Sequence, residues 1–450
     1  MRLVLALVCS TLAIPALAAD EDLKAEIMRL RSRIEALEKA QQRVDEGLAR
    51  EEISEREPEL TSRLKAVEYQ ALGMLKQART VEALEGITVG VSFTTVGQRP
   101  SEKLNSQLNY RADVFAGLPL EKIGDVESRL FASIRFGQGN GLNDFYSYSK
   151  PNASAFRVTA VSPDDSVAIL GQAWYQATIP LPFGGFKPHS KQSLEINFGK
   201  MDPFVFFDQN AAANDETRQF LNTVFVHNAL LDAGGDIGFD ANGFSPGFRA
   251  SYYNYSDKRE PWRLSAGVFG AGQGARYTNS FASTLVVLQA DKQFQLAAGL
   301  PGNYRVYAWR NSAAPTFADE TESRRGIGAS LDQRITDATT LFLRYGHQTR
   351  GAAVRFNRAL TAGAEIRGSS WNRGGDSIGL AHGWLRTASA FHEASGYGAT
   401  GSEQVTELYY RYRINKQFEL SPDLQFIRHP GGNPDTRYAY FAGLRAQITY

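Results

Sequence analysis

Cysteine is nearly absent from this chain of 450 residues, whose single cysteine is Cys9. Cys9 lies in an apolar N-terminal stretch that we expect to be removed, so the mature protein would have no thiol. Disulfide bonds, thiol catalysis and cysteine-bound metals are therefore excluded. The residues before Cys9 match a lipoprotein cleavage box poorly, because Val8 is bulky.

Long apolar runs and an excess of one charge are also missing. Beyond the N-terminal stretch the chain has no window of about 18 consecutive apolar residues, which excludes a transmembrane helix. Basic residues number 49 and acidic residues 48, so the charge balance does not indicate nucleic-acid binding. What the chain does have is 41 glycines, 27 phenylalanines and 19 tyrosines, a composition that suits β-strands with aromatic bands.

Motifs of enzymes are absent as well. The six histidines are isolated, none lies in an HExxH sequence, and there is no GxSxG nucleophile elbow. Asp208 and Asn210 offer oxygen ligands, but their spacing does not match a calcium-binding loop. We therefore expect no enzymatic activity, no cofactor and no metal site.

The first 18 residues are typical of a secretory signal peptide. Arg2 precedes an apolar run at residues 3–12 that is too short to cross a bilayer, and Ala-Leu-Ala at residues 16–18 forms a small-x-small cleavage site. We expect the mature chain to begin at residue 19 or 20. Export without a membrane helix leaves a soluble periplasmic protein and an outer-membrane protein as the two classes to separate.

Residues 21–84 carry an apolar stripe with heptad spacing. Apolar residues recur at alternating intervals of four and three, Pro58 interrupts the pattern, and the same stepping then resumes. This spacing predicts a coiled coil that self-associates, although a single amphipathic helix lying on a barrel or membrane is the alternative. The first part of the stripe consists of Leu23, Ile27, Leu30, Ile34, Leu37, Gln41, Val44 and Leu48.

From Gly86 onward the period of the pattern changes to two, which predicts β-strands. The last thirteen residues, YAYFAGLRAQITY, alternate clearly, with Tyr440, Leu444 and Ile448 on one face and Arg445 on the other. A terminal strand that ends on an aromatic residue is typical of bacterial outer-membrane barrels, although it also fits the edge strand of a soluble sheet. Because the chain is expected to be exported, we assign the apolar face to lipid and the polar face to a lumen.

Counting the alternating segments predicts sixteen strands. An even number is required when both barrel ends lie in the periplasm, so we reject a weak seventeenth candidate at residues 236–242; eighteen strands remain an alternative. The longest connection, residues 201–246, is expected to be the third extracellular loop and to fold inward. The predicted strands start near residues 86, 106, 125, 167, 192, 247, 262, 283, 303, 324, 340, 359, 376, 403, 418 and 437.

Five segments in register resemble the carbohydrate-selective porin (OprB-type) family of Gram-negative bacteria. They are FFDQNAAANDETRQFLN at 206–222, GNYRVYAWRN at 302–311, ASLDQRITDATTLFLRYG at 329–346, WNRGGDSIGLA at 371–381, and YYRYRINKQFELSPDLQFIRHPGGN at 409–433. The resemblance covers roughly residues 86–450. It implies a sixteen-stranded diffusion channel for sugars in a family that also includes members thought to pass small ions. A coiled coil before the barrel resembles members whose N-terminal region reaches the cell wall.

Charged residues expected in the lumen are the candidate solute contacts. Within the long loop, the predicted constriction consists of Asn214, Asp215, Glu216 and Arg218, which offer both signs of charge within five residues. The same residues also fit the cap of a short helix. On the barrel wall, arginines outnumber acids in the alternating pattern, which would disfavour cations. The lumen-facing candidates singled out are Arg111, Arg135, Glu195, Arg344, Glu407 and Arg411. Each of them may equally serve only to pair with a neighbouring charge.

Together these observations predict a transmembrane all-β protein, a sixteen-stranded antiparallel outer-membrane barrel preceded by a helical coiled coil. The expected organisation is a signal peptide at 1–18, a periplasmic coiled-coil segment at 19–85 and a porin barrel at 86–450. Expected partners are outer-membrane lipids and small solutes, most of all sugars, with a homotrimer formed through the coiled coil and a cell-wall contact as further hypotheses. The alternatives to a sugar porin are a general or inorganic-ion porin and a tether between outer membrane and cell wall that contains a pore.

Overall fold

The structure, a computed structural model, describes residues 87–101, 105–156, 166–182, 190–231, 243–296, 299–396 and 398–450. The predicted signal peptide, the predicted coiled coil and the rejected strand candidate at 236–242 lie outside these residues. Within the described ranges, no helix is both long enough and apolar enough to cross a membrane.

Sixteen strands follow one another along the chain and form one closed antiparallel barrel. The predicted strand number is confirmed, and each predicted start lies within three residues of the observed one. The strands are β1 (Thr88–Pro100), β2 (Gln107–Ile123), β3 (Val126–Gln138), β4 (Val167–Leu181), β5 (Gln192–Met201), β6 (Ser245–Asn254), β7 (Trp262–Gly270), β8 (Thr284–Gln295), β9 (Pro301–Pro315), β10 (Thr321–Arg334), β11 (Thr339–Gly351), β12 (Phe356–Arg367), β13 (Ser377–Thr387), β14 (Ser402–Arg413), β15 (Phe418–Arg428) and β16 (Tyr438–Thr449).

The first and last strands close the ring. Val96 in the middle of β1 lies opposite Arg445 of β16. At the end of the ladder Val91 and Tyr450 exchange both backbone hydrogen bonds, each 2.8 Å long. Closure matters because an unpaired strand edge has no hydrogen-bonding partner in hydrocarbon, so only a closed sheet can cross a bilayer.

Period-two alternation separates an apolar outer face from a polar inner face. On β1, Val89, Val91 and Phe93 are exposed on the outside, whereas Ser92 and Thr94 are buried inside. On β16 the exposed residues include Tyr440 and Leu444, while Arg445 and Gln447 are buried inside. The two faces therefore have the apolar-out and polar-in pattern of a membrane barrel.

Some inward-facing aromatic rings lie flat against glycines on the neighbouring strand. Gly379 of β13 is paired with Tyr409 of β14, and a Cβ atom added to the glycine would lie 2.1 Å from the tyrosine ring. Gly328 of β10 and Tyr307 of β9 form the same arrangement, with a corresponding distance of 2.3 Å. These glycines therefore make room for large side chains that would otherwise project further into the lumen.

The connections are unequal at the two ends of the barrel. The turn end is where β1 begins and β16 ends, and it carries short connections such as residues 124–125 and 414–417. The opposite loop end carries the two longest connections, residues 139–166 and residues 202–244, and we call the latter L3. Helices in the described connections are short: α1 (Thr223–Val226), α2 (Ser389–Ala394) and 3₁₀ helices at Pro203–Val205, Gly272–Ala275, Tyr277–Asn279, Gly368–Trp371 and Pro430–Gly432.

Candidate pore constriction

L3 leaves the barrel wall between β5 and β6 and contacts strands on the other side of the ring. In a ring of sixteen strands, β13 and β14 lie opposite β5 and β6. The carboxylate of Glu407 on β14 accepts hydrogen bonds from the backbone of Leu221 (2.5 Å) and Asn222 (2.9 Å). L3 can reach these partners only by crossing the interior, so the described part of the loop lies inside the barrel.

Local capping explains the turns by which L3 enters and crosses the interior. The Asp202 carboxylate accepts a hydrogen bond from the backbone of Phe204 and caps the 3₁₀ helix there, at 2.9 Å. The Asn222 side chain caps α1 through the backbone of Val224, at 3.2 Å. Both residue types are favoured caps because a short side-chain oxygen reaches the unpaired amides of a first helical turn.

Asp208 forms the deepest anchor of L3. The residue is fully buried and adopts a left-handed backbone conformation (φ 55°), which aspartate tolerates better than most residues. Arg344 on β11 donates to the Asp208 carboxylate at 3.1 Å, and the Tyr307 hydroxyl donates to it at 2.7 Å. The backbone of Asn228, from the returning part of L3, donates to the same carboxylate at 2.5 Å.

Arg344 therefore serves L3 rather than facing open solvent. Its guanidinium also donates to the backbone carbonyls of Phe225 (2.7 Å), Ala213 (2.8 Å) and Asp208 (3.0 Å). Only 2% of Arg344 is exposed. Arg344 and Glu407 point to the barrel interior as expected, but both are used in holding L3 in place.

An aromatic cluster fills the space between L3 and the β11–β14 wall. Phe220 of L3 is fully buried, and its ring centroid lies 5.0 Å from that of Tyr409, 5.6 Å from Phe342 and 5.3 Å from Phe225. Burial of rings of this size contributes a few kcal/mol each, in addition to the polar anchors. This part of the lumen is therefore closed by packing.

The predicted constriction residues are brought together by ion pairs with two separate strands. Glu216 accepts from Arg111 of β2 at 2.7 Å. Arg218 donates to both carboxylate oxygens of Glu419 on β15, at 2.9 and 2.5 Å. Arg445 of β16 donates to the backbone carbonyl of Glu216 at 2.8 Å. Residues 214–218 are thus fixed against the arc of strands that runs from β15 through β16 and β1 to β2.

Asp215 forms a turn in place of the alternative helix cap. Its carboxylate accepts from the backbone (2.9 Å) and the hydroxyl (2.6 Å) of Thr217, and its carbonyl accepts from the backbone of Gln219 at 2.6 Å. The segment makes one hydrogen-bonded turn and does not continue as a helix. Asn214 precedes this turn, and its side-chain oxygen is buried without a hydrogen-bonding partner among the described residues.

The two adjacent acids of the turn have opposite pKa shifts. Burial, and then the neighbouring charge of Glu216, raise the pKa of Asp215 above its ordinary value. Burial also acts to raise the pKa of Glu216, but the charge of Arg111 outweighs it, so the net pKa lies below the ordinary value. Glu216 is therefore ionised over the whole physiological range, whereas Asp215 takes up a proton at a higher pH than a free aspartate.

The remaining predicted wall residues lie in two further networks. Arg135 and Arg111 both donate to Asp113, at 2.6 and 3.1 Å, on the β2–β3 wall. Glu195 of β5 forms an ion pair with Arg249 of β6. Arg411 differs from these residues, because its Nε is buried without a hydrogen-bonding partner in the described part of the protein.

The predicted excess of arginine is smaller in the structure than in the sequence pattern. Inward-facing acids on β8, β10 and β15 were not included in it, and neither was the L3 acid Asp208. Arg305 pairs with Asp332 at 2.8 Å and Arg263 pairs with Asp291 at 2.8 Å, so much of the arginine charge is compensated. Glu419 and Arg445 are the other important residues that were missed. The alternation of β15 and β16 places both on the inner face and could have identified them.

Catalytic and metal-binding constellations do not emerge from the geometry. The described residues contain no group of three or more His, Cys, Asp or Glu side chains that could hold a metal ion. His227 of L3 stacks on Phe204 at 4.0 Å between ring centroids, which is a packing contact.

Comparisons with known proteins agree with this architecture. The high-pH structure of Pseudomonas putida OprB has a TM-score of 0.63 and 18% sequence identity, and the match covers 81% of this chain and 94% of that one. The low-pH structure of the same protein has a TM-score of 0.46 at 15% identity, covering 81% and 92%. A mutant of Rh. blastica porin has a TM-score of 0.45 at 9% identity, covering 81% and 100%. No curated protein sequence matches the chain.

The family comparison is more specific than the structural ones. The model of the carbohydrate-selective porin, OprB family, matches residues 138–450, which include β4 to β16 and all of L3. The barrel, its inward loop and this match lead to one conclusion. The chain belongs to the carbohydrate-selective porin family OprB and is an outer-membrane porin for carbohydrates.

Proposed function

We propose that carbohydrates cross the barrel by passive diffusion past a constriction formed by residues 214–218 and the facing wall. The observation that carries this proposal is the pair of ion pairs Arg111–Glu216 and Arg218–Glu419, which fix one five-residue segment to two separate strands. A segment held on both sides keeps a constant distance from the wall. A fixed aperture of this kind selects solutes by size without a moving gate.

Polar atoms left without protein partners supply the chemistry of the aperture. They include the Asn214 side-chain oxygen, the Nε of Arg411, and the Nε and Nη2 of Arg445. Sugar hydroxyls both donate and accept hydrogen bonds, so they can satisfy an amide oxygen and a guanidinium in passing. Because the free donors here are cationic, a small cation gains less from this site than a neutral sugar does.

Swelling of proteoliposomes with monosaccharides and disaccharides, together with reversal potentials in salt gradients, tests this proposal. We expect faster entry of sugars than of other neutral solutes of equal size, and a permeability for chloride at least equal to that for potassium. Arg411→Glu should shift the reversal potential toward potassium, more strongly at low salt because screening is weaker. Rates that follow size alone would indicate a general porin, and a strong preference for cations would indicate an ion porin.

The N-terminal segment supports a second role that is compatible with transport. The heptad stripe of residues 21–84 favours self-association, and a homotrimer would suit a porin. We take the turn end of the barrel as periplasmic, which would put the coiled coil in the periplasm beside the cell wall. A tether between outer membrane and wall would then coexist with the pore.

A further inference from the structure

A second polar cavity lies away from the constriction, on the β2–β7 wall near the turn end. It has a volume of about 390 Å³, and its lining includes residues from the β2–β3 hairpin, from β4 to β7 and from the first turn of L3. Pockets that hold small molecules typically measure roughly 300–1,000 Å³, so this cavity is large enough for a single sugar ring. Neither residues 214–218 nor their ion-pair partners line it.

Most of the charges around the cavity are paired with one another. Glu195 holds Arg249 through one carboxylate oxygen and the Gln176 amide through the other, at 3.0 Å. Arg263 pairs with Asp291 at 2.8 Å. At the rim, Lys122 lies 3.4 Å from Glu127, and both side chains are largely exposed. The pairs leave little free charge for a solute to recognise.

Arg129 of β3 is the exception. Its Nη2 donates to the neutral amide oxygen of Gln176 at 2.8 Å, and its guanidinium lies 5.6 Å from the ring centre of Trp174. The Nε is buried without a hydrogen-bonding partner, and the ion pairs among the described residues give Arg129 no carboxylate. A guanidinium pairs best with a planar anion that accepts two parallel hydrogen bonds.

We propose that this cavity is a binding subsite for monosaccharide carboxylates, such as hexuronates, on the turn-end side of the constriction. Arg129 would hold the carboxylate. The Ser128 hydroxyl, the Gln176 amide and the Thr178 hydroxyl line the same cavity and can hydrogen-bond the ring hydroxyls. The inference rests on the proposed function, because a sugar acid must first enter the lumen, and it extends that function to an anionic substrate class.

Competition in proteoliposomes containing the full-length protein tests the subsite. Uptake of labelled glucose is measured with increasing potassium glucuronate, and potassium chloride of equal ionic strength serves as the reference. We expect glucuronate to inhibit uptake and Arg129→Gln to raise the concentration for half-inhibition about tenfold or more, since the lost contact is a charged, bidentate hydrogen bond. Arg129→Lys, which keeps the charge but loses the fork, should fall between the two.

Arg259→Gln is the matched control. Arg259 is exposed in the turn between β6 and β7, at the same end of the barrel, and its replacement removes the same charge outside the cavity. We expect a change of less than about twofold for this variant, as for other exposed charges. Heat-modifiable migration on gels confirms that each variant is folded.

Three outcomes would overturn the subsite: no inhibition beyond that of chloride, equal inhibition of wild type and Arg129→Gln, or equal effects of Arg129→Gln and Arg259→Gln. Failure of glucose uptake itself would instead contradict the proposed function. In that case block of potassium chloride current by glucuronate in planar bilayers still measures the contribution of Arg129. A loss of block in Arg129→Gln alone would support the subsite, and block that is unchanged would refute it.

Discussion

Replacing Arg344 with methionine is expected to release L3 from the β11 wall. Methionine keeps the apolar stem of the side chain but removes four hydrogen bonds, two to Asp208 and one each to Ala213 and Phe225. Because Arg344 and Asp208 are both buried, the change leaves an acid without its cation.

The expected cost follows from the burial of this pair. Removing one partner of a buried ion pair destabilises by about 3–5 kcal/mol, and Tyr307 and Asn228 continue to donate to the Asp208 carboxylate, which favours the lower part of that range. A value near 3 kcal/mol raises the population of the detached loop about 100-fold or more. The open lumen is then occupied for a larger share of the time.

Single-channel recording and urea unfolding measure the two consequences of Arg344→Met. We expect larger and noisier conductance, and a lower unfolding midpoint followed by tryptophan fluorescence. Arg350→Met is the matched control, because Arg350 lies on the same strand but is exposed. In a double-mutant cycle with Asp208→Asn, the double variant should lose less stability than the sum of the single variants, since the orphaned charge is gone. Additive losses, or a conductance equal to that of wild type, would refute the anchoring role.

Three further predictions concern other parts of the chain. Deleting residues 211–220 should raise single-channel conductance, and an unchanged conductance in a folded deletion variant would place the narrow zone elsewhere. Because burial raises the pKa of Asp215, acidification should neutralise it at a higher pH than a free aspartate and lower cation permeability there; reversal potentials between about pH 7 and pH 4 should show a step that Asp215→Asn removes. In the N-terminal segment, Ile27→Asp together with Ile34→Asp should abolish cooperative helix melting of an isolated 21–84 peptide, because charges in an apolar seam are costly; a wild-type peptide that is monomeric at every concentration would exclude self-association.

The strands were predictable because a membrane barrel gives each strand residue one of two environments. Tyr440 faces outward and Arg445 faces inward, and the same two-residue period recurs along all sixteen strands. The turn residues between the strands then set each start to within a few positions. The inward course of L3 also followed from its length and from its place after the fifth strand.

The partners inside L3 were not predictable in the same way. The loop has no period, and its polar contacts span large sequence separations, as between Asp208 and Arg344 or between Leu221 and Glu407. The left-handed backbone at Asp208 leaves no local signature beyond the residue type. Pairings of this kind depend on which wall residues the finished barrel brings within reach, so they become visible only in three dimensions.

The same distinction changes the argument about ion selectivity. Alternation identifies which charges face the lumen, but a charge influences a passing ion mainly when no protein partner compensates it. Arg344 and Arg411 look equivalent in the sequence, since both are inward-facing arginines near the middle or end of a strand. In the structure Arg344 is buried under L3, whereas Arg411 is half-exposed with a free Nε. Selectivity against cations therefore depends on the few uncompensated guanidinium groups, Arg411 and Arg445 near the constriction and Arg129 near the turn end, and not on the total number of arginines in the wall.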